Sequence, residues 1–313
     1  MGKFALAAIL SFTLLANPGW VGASPGVGRL FGTNANGGQL LTVNTGNGAG
    51  TVVGLMGAGV VPALAVDPIT GILYAGQGAG LPNLYTVNKT TGAATLVGNT
   101  GLGFAAIADM DFRSDGTLFA AVNIVGDGGT GAETLATINK STGVATVIGP
   151  FGTEGMEAIA FDGTGQLWGA HSARGAGTPG LYLINTATGA ATFQRPIVDG
   201  AGKPPSGGVV GMRFVCAGLL YGGTARAVGS ATDGGRLIFL DPLSGVFSFV
   251  GAGSATGGSS LAALAFDTMC PAGNAIPTLS EWMMIIMATL LAGLGIHAIW
   301  RRRTGAQFRE RLS

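Results

Sequence analysis

A pattern that recurs five times constrains the fold of this chain more than any other feature. Each copy holds an apolar run, an Asn or Asp, a turn that ends on Gly and a second apolar run, as in "NLYTVNKTTGAATLVG" (83–98). The Asn or Asp of successive copies lies 44 to 56 residues after the previous one, at Asn44, Asn88, Asn139, Asn185 and Asp241. Further paired runs such as "ALAVDPITGILYAG" lie between the copies. One repeat therefore holds four short strands, which we label a to d.

Four strands at a period of about 45 residues predict a blade of a β-propeller. The composition agrees, because 58 glycines with only 10% charged residues favour an all-β fold rich in tight turns over disorder. A β-solenoid is the main competing fold, but its repeats are commonly shorter. The strand order resembles that of NHL-type propellers, in which the "IAVD"-like strand a is innermost. That resemblance concerns the fold and implies no function.

The two ends of the repeat array predict how the ring closes. "RLFGTN" (29–34) has the pattern of a strand b with no strand a before it, and "LAALAFD" (261–267) that of a strand a with no b, c or d after it. Paired, they complete one blade and remove the edges that an open array would expose. The prediction is an all-β, five-bladed propeller of four-stranded blades over residues 27–270, closed by pairing of the C-terminal strand with the N-terminal blade.

The first 23 residues have the order of a secretory signal peptide. Lys3 precedes an apolar run from Phe4 to Leu15, and small residues at "VGAS" follow Pro18-Gly19, which places cleavage after Ala23. The alternative is an anchor that stays attached. An apolar run of about 12 residues is too short for about 30 Å of hydrocarbon, which favours the signal peptide.

The other end predicts a transmembrane helix over 282–300. Met283 to Trp300 is 18 residues long, and His297 is its one ionisable group. Such a segment can just span a bilayer, with Trp282 and Trp300 at the interfaces. A basic cytoplasmic tail, 301–313, follows under the positive-inside rule. A buried core helix is the alternative, and the adjoining arginines argue against it.

The linker 271–281 and the residues after it resemble the IPTL-CTERM sorting signal of Gram-negative bacteria. The motif reads "IPTLSEW" and is followed by one apolar segment and a basic cluster, with Met283 where the family pattern has Gly. The resemblance implies an exported precursor held in the inner membrane, processing by an exosortase-type protease, and a mature protein at the cell surface or outside the cell. The residues that carry it are Ile276, Pro277, Thr278, Leu279, Ser280, Glu281, Trp282, Arg301, Arg302 and Arg303.

Two cysteines follow strands a of neighbouring predicted blades. Export places them in an oxidising compartment, so a disulfide between Cys216 and Cys270 is expected, with two unpaired thiols as the alternative. The bond would close a loop of about 54 residues and contribute about 4 kcal/mol in the chain-entropy account.

The loop lengths predict where a binding surface lies. The a–b and c–d turns are short and share one face of the disc, whereas the b–c and d–a loops are long and share the other. Long loops on a rigid scaffold carry function. The polar residues of this candidate binding face are Asp127, Glu133, Glu154, Glu157, His171, Arg174, Asp199, Lys203, Arg226 and Asp233.

The sequence offers little catalytic or metal-binding chemistry. His171 stands alone outside the tail, so a multi-histidine zinc site is excluded, and a surface histidine is favoured over a catalytic base. "GDGGTG" (126–131) supplies one local carboxylate, too few for calcium, which takes 6–8 oxygens. Glycine patterns such as "GQGAG" do not lead from a strand into a helix and are not nucleotide loops. No metal, cofactor or catalytic residue is predicted.

Charge excludes one class of partner. Residues 24–280 hold 10 Lys and Arg against 13 Asp and Glu, a net charge of −3 with no basic stripe, so nucleic acid is a poor partner. The hypothesis is a non-enzymatic, surface-sorted propeller in contact with extracellular matrix, polysaccharide or a surface protein. The alternative is a secreted propeller hydrolase or lyase that acts on an extracellular polymer.

Overall fold

The computed structural model describes residues 28–34, 38–124, 133–172, 180–215, 218–226, 234–257 and 259–267. These residues form five separate four-stranded antiparallel sheets and no α-helix. The predicted all-β propeller of five four-stranded blades is therefore confirmed.

Blade 1 takes its strands from both ends of the described chain, and blades 2 to 5 follow in order. Blade 1 comprises β20 (Leu261–Phe266), β1 (Leu30–Asn34), β2 (Gln39–Val43) and β3 (Gly50–Leu55). Blade 2 comprises β4 (Ala63–Val66), β5 (Leu73–Gly76), β6 (Asn83–Val87) and β7 (Ala94–Asn99). Blade 3 comprises β8 (Ala105–Phe112), β9 (Leu118–Ile124), β10 (Glu133–Ile138) and β11 (Ala145–Pro150). Blade 4 comprises β12 (Met156–Phe161), β13 (Leu167–His171), β14 (Gly180–Ile184) and β15 (Ala191–Pro196). Blade 5 comprises β16 (Val209–Val215), β17 (Leu219–Thr224), β18 (Leu237–Leu240) and β19 (Phe247–Phe249).

The ring closes as the sequence predicted. Strand β20 pairs antiparallel with β1, with Leu30 opposite Phe266 and Phe31 opposite Ala265. The strands a of the five blades, β20, β4, β8, β12 and β16, contact one another in that order and back to β20. They form the innermost layer of the ring, and no described blade is left with an unpaired inner edge.

The hydrophobic core lies between neighbouring blades rather than within any one of them. At the junction of blades 2 and 3, Tyr74 packs against Phe112 with ring centroids 5.5 Å apart, in one cluster with Ile107 and Met110. Strands a and b are largely buried, whereas the outermost strands β3, β7, β11 and β15 expose three of their six residues. Removal of one blade would therefore expose the cores on both of its sides.

Glycine allows the outer parts of neighbouring blades to approach closely. A Cβ on Gly98 of blade 2 would lie 2.0 Å from the carbonyl oxygen of Thr142 in blade 3, and one on Gly143 would meet Gly98 in return. Gly143 also has a φ of 80°, a conformation that glycine adopts without strain. The glycine-rich composition thus follows from the seams of the ring as well as from its turns.

The repeated Asn and Asp residues form the turns, as predicted. Asn88 Oδ1 accepts hydrogen bonds from the backbone N–H groups of Thr90 and Thr91. Two aspartates that end strands a have a second role, because each pairs with a lysine of the next blade. Lys140 Nζ lies 2.7 Å from the buried Asp67, and Lys89 contacts Asp267. These ion pairs join blade 2 to blade 3 and blade 1 to blade 2.

Several sequence predictions concern segments beyond the described residues. The signal peptide, Cys216, Cys270, the linker, the sorting motif, the apolar segment and the basic tail lie there. Of the residues that the structure does describe, none belongs to a helix with the length and apolarity needed to cross a bilayer.

Candidate functional site

The structure brings part of the predicted binding face together at the junction of blades 3 and 4. Glu133 begins β10, Glu154 and Glu157 lie on either side of the start of β12, and His171 ends β13. Asp127, Arg174 and Asp233 lie outside the described residues. We call Glu133, Glu154, Glu157, His171 and Thr153 the junction cluster.

Glu133 is the electrostatic centre of the junction cluster. Its Oε2 accepts a hydrogen bond from the backbone N–H of Met156, so the side chain reaches from blade 3 to the first residue of β12. Burial raises the pKa of Glu133 to about 7, against the opposing effect of that hydrogen bond, and the nearby carboxylates of Glu157 and Glu154 raise it further. Near neutral pH, Glu133 is therefore present in two protonation states: a carboxylic acid, which can donate a hydrogen bond, and a carboxylate, which only accepts.

His171 is buried, which corrects the prediction of a surface histidine. Its side chain is covered by the 153–156 segment, and Nε2 lies 3.0 Å from Thr153 Oγ1. Nδ1 is buried and has no hydrogen-bond partner among the described residues. Burial lowers the pKa of His171, which keeps the imidazole neutral at physiological pH.

An aromatic row leads from His171 to the rim of the disc. The ring of His171 stacks on Tyr182 at 4.8 Å, and Tyr182 contacts Phe193 edge-on at 5.4 Å. Phe193 is opposite Tyr182 on the outermost strand and is 52% exposed. The row gives the junction cluster a rigid wall on the side of blade 4.

The other described members of the predicted face do not join the junction cluster. Asp199 Oδ1 accepts from the N–H groups of Ala201 and Lys203, and so shapes the turn after β15. Lys203 and Arg226 are exposed on loops that border blade 5. Among the residues that the structure describes, the face therefore presents one acidic cluster and, apart from it, isolated charges.

The axis of the ring contains a buried arginine that the sequence prediction did not identify. Arg213 of β16 is 5% exposed, and its guanidinium donates to carbonyl oxygens of three other blades. Nε lies 3.0 Å from Leu264 O, and Nη2 lies 3.0 Å from Leu64 O and 2.8 Å from Met110 O. One side chain thus ties the strands a of blades 5, 1, 2 and 3 together.

Two aspartates of β8 complete this axial cluster. Asp111 pairs with Arg213 and accepts from Phe161 N at 2.8 Å, and Asp109 accepts from Ile159 N at 3.0 Å. Both acceptor bonds cross from blade 3 to blade 4. Burial raises the pKa of Asp109 well above its usual range, only partly opposed by Arg213, and burial also raises that of Asp111. The axial cluster is a closed set of partners and fills the axis with polar groups that are already bonded.

A signal for the axial cluster was present in the aligned repeats. The register of the a–b pairs makes Arg213 equivalent to Ala65, Asp111, Ala160 and Ala265, so three blades have alanine where blade 5 has arginine and blade 3 has aspartate. A cation at a buried position that is alanine in three of the five blades needs a buried partner. Asp109 and Asp111 are exceptions of the same kind, because blades 1, 2 and 4 have alanine at the two positions equivalent to them.

Across the seven described stretches, no group of three His, Cys, Asp or Glu side chains is placed to hold a metal ion. In the junction cluster, Glu133 accepts a hydrogen bond from the backbone of Met156, and the charges of Glu157 and Glu154 act on it from nearby. The chemistry that the cluster offers is hydrogen bonding and proton transfer by carboxyl groups.

The described structure belongs to the class of closed five-bladed β-propellers, and comparisons with known proteins agree. Residues 274–303 match the IPTL-CTERM motif. The protein is therefore a β-propeller that carries an IPTL-CTERM sorting signal. The motif implies processing by an exosortase-type sorting protease and an exported, surface-sorted protein.

Two solved structures are similar to this chain at low sequence identity. A chain in the crystal structure of a nidogen/laminin complex is similar with a TM-score of 0.52 and 12% identity, over 77% of this chain and 99% of that chain. A chain of hydrazine synthase from Kuenenia stuttgartiensis has a TM-score of 0.42 and 15% identity, over 69% of this chain and 60% of that chain. No curated protein sequence matches the chain. The first similarity supports the propeller fold and nothing beyond it.

Proposed function

We propose that this protein is a non-enzymatic, surface-sorted propeller that binds a hydroxyl-rich extracellular polymer, a polysaccharide, through the junction cluster. The sorting signal supports a location at the cell surface, where such a polymer is available. The long-loop face, which carries the cluster, is the side on which a propeller has room for a ligand. A surface protein as the ligand is the other form of the same binding hypothesis.

The observation that carries the proposal is the composition of the junction cluster. Sugar hydroxyls both donate and accept hydrogen bonds, and they need partners of both kinds. Glu154 and Glu157 supply acceptors, and Glu133, with a pKa of about 7, supplies a donor in its protonated form. The wall formed by His171, Tyr182 and Phe193 is rigid, which lowers the entropy that binding costs.

The test is a glycan-array screen followed by a direct binding measurement on any positive glycan. We expect binding by the native protein and a loss of at least tenfold in affinity for Glu154→Gln combined with Glu157→Gln. Asp115→Asn is the matched control, because Asp115 is an exposed acid on the opposite face and pairs locally with Arg113. The control is expected to bind normally. Equal binding by both variants, or no glycan bound by the native protein, would reject the proposal.

A second candidate, a hydrolase or lyase, has one specific observation in its favour. Glu133 retains its proton to about neutral pH beside two further carboxylates, the arrangement by which carboxyl groups divide into general acid and base. Incubation of the bound polymer with the native protein and with Glu133→Gln separates the two functions. Release of shorter products that Glu133→Gln abolishes would favour the enzyme, and intact polymer favours binding.

A further inference from the structure

The chain leaves the ring toward its sorting signal from the short-turn face. Strand β20 ends at Phe266 beside the start of β1, and Asp267 there pairs with Arg29 and Lys89. Fifteen residues, 268–282, then precede the apolar segment Met283–Trp300. Even fully extended, such a linker reaches about 50 Å. The exit of the chain on the side of the a–b and c–d turns favours this face as the one nearer to whatever holds the apolar segment.

Most of the large apolar side chains exposed in the described turns of this face lie on the two blades that flank the exit of the chain, and Val144 of blade 3 is the exception. Blade 2 exposes Ile69 and Ile72 in its a–b turn, and blade 5 exposes Leu219, Leu243 and Val246 at its a–b and c–d turns. Blades 2 and 5 are the neighbours of blade 1, from which β20 leads out. The corresponding turns of blade 4, 162–166 and 185–190, expose no large apolar side chain.

The turns themselves do not require these side chains. Leu243 is 80% exposed, and its turn is closed by Asp241, which accepts from the backbone N–H of Leu243 and from Ser244 Oγ. Gly46, Thr90, Ser141 and Ala187 occupy the same position in the other four repeats. The fold accepts Gly, Thr, Ser or Ala at this position, so the leucine is not needed for the turn and is available, with the other exposed side chains of the face, to an apolar partner.

Most charges of the short-turn face are paired within the face, whereas Asp162 and Asp241 accept hydrogen bonds within their own turns. Arg29 and Lys89 contact Asp267, Lys140 contacts Asp67, and Arg113 contacts Asp115. The pairing leaves little net field for a strongly charged partner to recognise. Contact at this face is therefore expected to depend on its apolar residues.

We propose that the turns of blades 2 and 5 rest on the lipid surface while the C-terminal segment holds the protein in the membrane. In this orientation Leu243, Ile69 and their neighbours insert at the level of the headgroups, and the junction cluster on the opposite face points away from the membrane. The proposal rests on the surface sorting in the proposed function, together with the expectation from the sequence that the C-terminal segment holds the precursor in the membrane. It is independent of which polymer the junction cluster binds.

Photocrosslinking of the full chain to lipid tests this orientation. The chain is reconstituted into vesicles of phosphatidylethanolamine and phosphatidylglycerol with p-benzoylphenylalanine in place of Leu243 or, separately, of Ile69. Replacement of Leu81 or Phe104 gives matched controls, because these residues are 57% and 64% exposed on the long-loop face. We expect lipid adducts, detected by mass spectrometry, at positions 243 and 69. We expect none at positions 81 and 104.

Two different failures can be distinguished. If the chain floats with the vesicles but adducts are equal on the two faces, or confined to 81 and 104, the orientation is wrong and the membrane anchor stands. If the chain does not float with the vesicles, the anchor itself fails, and the orientation fails with it. Glycan binding by the junction cluster is measured without vesicles and is not affected by either result.

Discussion

At the residue scale, Arg213 and the junction cluster show two different uses of buried charge. Arg213 donates to carbonyl groups that belong to three other blades, so its bonds exist only when the ring is closed. Glu133 has few fixed partners and neighbours of its own sign, which leaves its proton available near pH 7. The first group stabilises the fold, and the second is available for a ligand.

Removal of the axial cation is expected to destabilise the whole ring. Arg213→Leu leaves Asp111 buried without its counter-ion, a change that typically costs about 3–5 kcal/mol. Chemical denaturation with intrinsic fluorescence measures the loss. Arg113→Leu is the control, because Arg113 forms an exposed local pair with Asp115 and should change stability by less than about 1 kcal/mol. Addition of Asp111→Asn to Arg213→Leu should recover part of the loss, and a fully stable Arg213→Leu protein would contradict the role assigned to the axis.

The pKa of Glu133 predicts a titration that can be observed directly. With ¹³C-labelled glutamate, one side-chain carboxyl signal should titrate near pH 7, and Glu133→Gln should remove that signal. Because the pKa in the folded state is raised above that of the unfolded chain, this group lowers stability as pH rises from about 4.3 through 7. Glu133→Gln should therefore make the protein more stable, relative to the native chain, at pH 8 than at pH 4. Ordinary titration of every glutamate near pH 4 to 5 would contradict the buried environment of Glu133.

At the scale of elements, the seams between blades limit which substitutions the chain accepts. Strands β7 and β11 carry glycine where the next blade's c–d turn approaches, and the backbone atoms on the other side cannot move independently of that blade. The same strands expose Leu96 and Val147 to solvent only two residues before these glycines. Tolerance to substitution thus changes over very short distances along each outer strand.

Gly98→Ala is expected to destabilise the protein by about 1–3 kcal/mol, the typical cost of forcing extra atoms into a packed site. The new Cβ would lie 2.0 Å from Thr142 O, so blades 2 and 3 would have to separate. Gly163→Ala supplies the control, because a Cβ there meets nothing within 4 Å. Thermal unfolding compares the two, and equal midpoints would show that the seam is looser than described.

Prediction from sequence succeeded for elements and failed for residues whose partners lie in other blades. Strand order, turn residues and closure by β20 follow from local patterns that recur, so a single repeat already contains the information. Arg213 has no distinctive neighbours in "GMRFVC", and its partners are 51, 103 and 149 residues away. His171 was expected at the surface because nothing local indicates that Thr153 of the preceding loop covers it.

At the scale of the whole molecule, the propeller is a disc with two different faces. The short-turn face holds the exit of the chain toward its sorting signal and the exposed apolar turns of blades 2 and 5. The long-loop face holds the junction cluster. A protein held by its C-terminal segment and later processed would thus present its ligand site outward in either state.

The sorting motif predicts a processed C-terminus. The match of residues 274–303 to the IPTL-CTERM motif implies that a sorting protease recognises Pro277 and Thr278. Pro277→Ala with Thr278→Ala should therefore accumulate as an uncleaved, membrane-bound chain. Pro271→Ala with Gly273→Ala, outside the motif, is the control and should be processed like the native protein.

The intact mass of the protein isolated from the cell surface tests the central claim most directly. We predict a C-terminus close to Ser280, with the apolar segment and the arginines removed. The Pro277→Ala, Thr278→Ala variant should instead give the mass of the chain that still ends at Ser313. Surface protein that still ends at Ser313 would mean that the segment is a permanent anchor, and would contradict the account of a processed, surface-sorted propeller.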